Sequence, residues 1–90
     1  MTKRIMPDSL TRKRLLRKTA ETEVRLALSR RHIARQREII SWQQENGLDA
    51  ELSLQLLSTF LSVHQSLEHN YGILQEKLAA LSESQMLDLM

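Results

Sequence analysis

Three histidines are the residues of this chain best suited to chemistry, and their spacing does not assemble a site. His32, His64 and His69 include no pair at i, i+4, and His64 and His69, five residues apart, point in different directions on a helix. No carboxylate stands at a spacing that would complete a zinc or two-metal site, so no metal centre is expected. Glu38 and Glu45 on one helix side are the nearest approach to paired acids for proton transfer, and nothing encloses them. The only two glycines, Gly47 and Gly72, lie too far apart for a phosphate-cradling loop, and the absence of cysteine removes thiolate ligands, a thiol nucleophile and disulfides together. Catalysis needs a concave, preorganised pocket. The chain therefore reads as a non-enzyme with no cofactor and no small-molecule substrate.

The charge layout is more informative. Across 90 residues the formal net charge is only +2, yet residues 1–45 hold twelve Lys/Arg against five Asp/Glu, while residues 46–90 hold Lys77 alone against six acids. A basic half can steer toward phosphates or acidic surfaces, or the halves can neutralise one another as antiparallel neighbours. The densest cluster is Arg12, Lys13, Arg14, Arg17 and Lys18. No aromatic interleaves it, so base stacking is not offered and any nucleic-acid contact would go to the backbone. No stretch approaches the ~18 apolar residues of a membrane span. The cysteine-free composition suits a reducing, cytoplasmic compartment.

The elements that position these residues are two helices. Glu45-Asn46-Gly47-Leu48-Asp49 is the one clear break: Gly47 can take the left-handed conformation that ends a helix, and the Asp49 carboxylate can cap the next. Asp8 or Ser9 is expected to start the first helix. The division is a flexible basic N-terminus over 1–8, a helix over 9–46, a turn at 46–49, a helix over 50–84, and a fraying tail over 85–90. Near-equal helices joined by a tight turn make an antiparallel, all-α hairpin.

In the second helix Leu57, Phe60, His64, Leu67, Tyr71, Leu74, Leu78 and Leu81 alternate steps of three and four without a miss, the seam of a coiled coil with two polar substitutions. His64 on that seam reads as a partly buried core residue able to make stability pH-sensitive. Leu54, Leu56, Leu61 and Val63 flank the first half of the seam and widen its apolar face beyond what one neighbour covers. In the first helix Leu26, Ile33 and Ile40 form one column and Ala20, Ala27, Ala34 and Ser41 the next, which suggests one surface for the second helix and one for another chain. Trp42 is expected to plug the hairpin end against Leu52 or Leu56, with an interface anchor as its other role. Two hairpins packed at the turn-proximal half would make a homodimeric four-helix bundle.

The segments RHIARQREII (31–40), NGLD (46–49) and LLSTF (56–60) resemble short uncharacterised helical-hairpin proteins of rhizobia and related alphaproteobacteria. Their pattern is a basic RH-x-A-x-QR-x-hydrophobic helix, a Gly-His-Asp-Thr-like turn and a helix with Leu-Leu-x-Thr-Phe. The likeness covers residues 31–60, about a third of the chain, and Leu48 and Ala50 stand where His and Thr are usual. It implies a bacterial, cytoplasmic hairpin and carries no activity.

Two function classes follow. The first is a protein-interaction module, an adaptor or regulator that self-associates or binds a partner through Leu26, Ile33, Ile40, Trp42, Leu54, Leu56, Leu57, Phe60, Leu61 and Val63. The second is a nucleic-acid-binding accessory protein that contacts phosphates through Arg12, Lys13, Arg14, Arg17 and Lys18. Anionic lipid is a further candidate for the basic helix.

Overall fold

A computed structural model describes residues 7–88 in backbone and 10–83 in side chains. Two antiparallel helices make up the fold, α1 over Pro7–Glu45 and α2 over Glu51–Asp88, with no strand among the described residues. The 39 residues of α1 correspond to about 58 Å of helix at 1.5 Å per residue. The molecule is a rod of 72 × 25 × 14 Å with a radius of gyration of 20.5 Å. A compact domain of this length would have a radius near 12 Å.

The turn forms as its residues dictate. Leu48 N–H donates to the Gln43 carbonyl (2.8 Å) and Gly47 N–H to the Gln44 carbonyl (3.2 Å), the paired bonds of a Schellman cap. Gly47 sits at φ +69°, in the left-handed region. The Asn46 side-chain amide donates to the Trp42 carbonyl (2.8 Å), and Glu51 N–H donates to Asp49 Oδ1 (3.0 Å), which caps α2.

Both helices contribute a seam of alternating three- and four-residue steps. On α2 it runs Ala50, Ser53, Leu57, Phe60, His64, Leu67, Tyr71, Leu74, Leu78 and Leu81, all buried or half-buried. On α1 it runs Arg12, Leu15, Thr19, Thr22, Leu26, Ser29, Ile33, Gln36, Ile40 and Gln43, again all buried or half-buried. We label these positions a and d, with Leu26 and His64 both at a. On α1 the d positions from Thr22 onward are polar, so the buried apolar side chains are Leu26, Ile33, Ile40 and, from α2, Ala50.

The polar positions from Thr19 to Gln36 are satisfied locally or across the seam. Thr19 and Thr22 donate to the carbonyls of Leu15 and Lys18 in their own helix (2.7 and 2.8 Å). Ser29 Oγ and His64 Nδ1 share a bond of 2.9 Å, and Gln36 Nε2 donates to the Ser53 carbonyl at 2.9 Å. Arg12 Nη1 donates to Ser82 Oγ (3.4 Å), near the far end of the rod. The Gln43 side-chain carbonyl, at the turn end, is buried without a hydrogen-bond partner.

Three sequence expectations change. Helix α1 starts at Pro7, ahead of Asp8 and Ser9, and residues 1–6 of the expected flexible arm lie outside the described residues. Residues 85–88 of the expected fraying tail continue α2, and residues 89–90 lie outside the description. Trp42 does not plug the hairpin end: it is 58% exposed, and Leu52, one of its two expected partners, is 80% exposed.

A Cβ at position 47 would meet nothing within 4 Å, so substitution there tests backbone conformation alone. Gly47→Ala is expected to lower unfolding stability by about 1–2 kcal/mol, with Gly47→Asn losing less. Urea unfolding of the full chain followed by circular dichroism measures the difference.

Candidate interaction surface

Because the helices run antiparallel, the positions beside the seam fall on two separate flanks. One carries the g and c positions: Lys18, Arg25, Leu28, His32, Arg35, Ile39 and Trp42 of α1, and Leu52, Leu56, Val63, Ile73 and Lys77 of α2. The other carries the e positions: Leu16, Glu23, Arg30 and Arg37 of α1, and Leu54, Leu61, Glu68 and Gln75 of α2. The column of Ala20, Ala27, Ala34 and Ser41 borders this second flank and is exposed.

The structure therefore divides the residues expected at an interface. Leu26, Ile33 and Ile40 are buried, and Leu57 and Phe60 half-buried, in the hairpin's own seam. They form the surface that α1 and α2 turn toward each other and offer little to a second chain. Leu54 and Leu61 remain exposed on the e flank, while Trp42, Leu56 and Val63 remain exposed on the g/c flank. The wide apolar face of α2 is thus split by α1 lying along its middle.

On the g/c flank an apolar groove of about 400 Å³ lies between the helices, lined by Arg25, Leu28, Ser29, His32, Phe60, Val63 and Leu67. The His32 and Phe60 rings approach at 5.6 Å between centroids with a 35° tilt and shape its floor. Nearer the turn, Arg35, Glu38, Ile39 and Trp42 border a second hollow of about 460 Å³. Sequence reading missed Leu28, Ile39 and Ile73, since no column of α1 or α2 repeats them as a stripe. Their signal is positional, one or two residues from a seam position on the same side.

The basic cluster divides between the seam and the surface. Arg12 occupies a seam position and reaches Ser82, whereas Lys13, Arg14, Arg17 and Lys18 are exposed on the outer half of α1. Arg25, Arg30, Arg31, Arg35 and Arg37 are exposed as well. Among the described residues and leaving Arg12 aside, none of these cations is in ion-pair contact with a carboxylate. Among the described residues other than Arg12, the cations of α1 are thus not neutralised by paired acids of α2. The acids of the e flank engage other groups: Glu68 Oε2 lies 3.5 Å from His64 Nε2, and Glu23 Oε2 accepts from the Tyr71 hydroxyl at 2.8 Å.

Among the described residues, no three His, Asp or Glu side chains are grouped to hold a metal ion, and no helix is long and apolar enough to cross a membrane. Comparison of the chain with protein-family models, with curated proteins and with solved structures returns no match.

The hydrogen bond to Glu23 raises the Tyr71 phenol above its ordinary pKa of 10.0, with desolvation and the Glu23 charge adding in the same direction. A raised folded pKa means that the bond contributes fully below the unfolded value and is lost as pH climbs through the folded one. Tyr71 is the only tyrosine, so its ultraviolet tyrosinate signal is unambiguous. Its titration midpoint is expected above that of a free tyrosine, and Glu23→Gln should bring it down.

Proposed function

We propose that the chain is a non-catalytic interaction module, a small adaptor or regulator that self-associates through the e flank of its turn-proximal half. The observation that supports this is the exposure of Leu54 and Leu61 on a flank whose charges are of both signs. Arg30 and Arg37 on α1 face the same side as Glu23 and Glu68. A two-fold axis through such a flank lets each copy set its cations toward the other copy's acids while the leucines bury one another. The result is a four-helix bundle with α1 beside the partner's α2, since α1 against α1 would bring two cationic helices together. The bacterial, cytoplasmic setting implied by the likeness over residues 31–60 belongs to the same proposal.

Sedimentation velocity tests it. The wild-type chain should sediment as a dimer at micromolar concentration. Leu61→Glu, a change at a side chain 41% exposed in the single hairpin, should weaken the dimer. The expected loss is at least about a hundredfold, some 2.7 kcal/mol, because the new charge is buried at the contact. A monomeric wild type, or a dimer indifferent to Leu61→Glu, refutes the proposal.

A second reading is supported by the exposed cations Lys13, Arg14, Arg17 and Lys18, none of which is in ion-pair contact with a carboxylate among the described residues. It makes Lys13, Arg14, Arg17 and Lys18, with Arg12 behind them, a phosphate-contacting surface for duplex DNA or structured RNA. Affinity should then fall with salt with a log–log slope of several units. Changing all five residues to Gln should abolish binding. A flat salt dependence, or unchanged binding by the quintuple variant, removes this reading.

A further inference from the structure

We infer that the g/c flank is a docking site for an acidic amphipathic helix of a different protein. The inference deepens the reading as an interaction module by assigning a partner to the flank that self-association through Leu54 and Leu61 leaves open.

The argument starts from the two chemistries present on that flank. Its floor is apolar, with Leu28, Phe60 and Val63 walling a groove of about 400 Å³ that runs between the helices. Val63 is 50% exposed there, and Trp42 continues the apolar line toward the turn. Leu28 and Trp42 are fourteen residues apart on α1, so the line extends for about 21 Å, four turns of a docked helix. Arg25 stands on the groove wall and Arg35 beside Trp42, where Glu38 also borders the hollow, and Lys18 and Lys77 continue the same flank beyond Leu28, away from the turn. Among the described residues, none of these four cations is in ion-pair contact with a carboxylate.

Charge complementarity then selects the occupant. A second copy packed on this flank would bring the same four cations against themselves, and like charges across an interface cost affinity. A nucleic acid would engage the cations but leave the leucine, valine and phenylalanine floor uncovered, because phosphates and sugars do not fill an apolar groove. A helix with an apolar stripe and flanking Asp or Glu satisfies both at once. Its stripe enters the groove as helix-in-groove recognition requires, and its acids meet Arg25 and Arg35 along that line. Arginine stems lying along the groove add apolar cover while their guanidinium groups reach the carboxylates.

The experiment uses the full chain and a synthetic three-heptad helix with Leu at its a and d positions and Glu at e and g, fluorescently labelled. A control peptide carries Lys in place of Glu. Anisotropy should report binding of the Glu peptide and none of the Lys peptide. The fluorescence of Trp42, the only tryptophan, should shift to the blue on docking. Val63→Ser and Leu28→Ser should each weaken binding by about tenfold or more, as expected for truncating an apolar anchor. Arg25→Gln with Arg35→Gln should weaken binding and flatten its salt dependence. Both sets of variants should keep wild-type helicity and sedimentation.

Failure of the Glu peptide to bind, equal binding of both peptides, or indifference to Val63→Ser each overturns the inference. A dimer dissolved by Val63→Ser also overturns it, by placing the second copy on this flank. Because the peptide arm reads the g/c flank and Leu61→Glu reads the e flank, failure of one proposal is distinguishable from failure of the other.

Discussion

The structure depends on how little apolar bulk α1 brings to the seam. From Thr22 to Gln43 each heptad of α1 supplies one large apolar residue, Leu26, Ile33 or Ile40, and one polar residue at the d position. A two-stranded seam with apolar residues at both positions buries a continuous core. Here the apolar layers are separated by layers containing Thr22, Ser29 and Gln36, all buried, and each of these must find a hydrogen-bond partner or carry a desolvation penalty. Helix α2 complies by placing His64 opposite Ser29 and the Ser53 carbonyl within reach of Gln36. What remains of the core is Leu26, Ile33, Ile40 and Ala50. Small folds with so thin a core ordinarily draw stability from another chain, a metal or disulfides, and cysteine is absent from this sequence.

The same economy explains the surface. Leucines and valines that a wider first helix would have covered stay exposed on both sides of α1, and the cations of α1 from Lys13 onward point outward because its inward positions are uncharged from Leu15 to Gln43. The two flanks then differ in charge, the e flank mixing Arg30 and Arg37 with acids and the g/c flank being mostly cationic. Glu23 and Glu68 lie on the e flank, where Tyr71 and His64 hold them, while the g/c flank keeps Lys18, Arg25, Arg35 and Lys77. One apolar face on α2 thereby yields two surfaces of unlike electrostatics, although both halves of the apolar residues come from the same stretch of sequence.

Much of this was legible beforehand. The turn could be read because Gly47 and Asp49 have few alternative uses at those positions, and the α2 seam because eight residues kept one unbroken period. The α1 seam was legible only through Leu26, Ile33 and Ile40. From Thr22 onward its d positions are Thr, Ser and Gln, which carry no hydropathy signal and reveal their burial only when α2 is laid alongside. Trp42 misled for a related reason: an aromatic near a turn suggests a plug, but its c position turns it away from the seam. The g/c groove had no sequence signature of its own, since Leu28 and Val63 lie on different helices and meet only through the antiparallel register.

That register is what joins the buried polar pairs to the exposed surfaces. Sliding one helix by a heptad would carry Ser29 from His64 to Leu57 or Tyr71, and Glu23 would lose the Tyr71 hydroxyl. An apolar seam would resist such a slide weakly, because Leu against Leu looks alike in neighbouring heptads. Polar layers resist it more strongly, since a displaced histidine or serine is left buried and unpaired. The pairing that keeps Ser29 on His64 also keeps Arg25 and Leu28 across from Val63 and Leu67. The groove exists at its observed place because the pairings of Ser29 with His64 and of Gln36 with the Ser53 carbonyl hold the helices in this alignment. The polar residues that thin the core are therefore the same ones that fix where its outer surfaces are built.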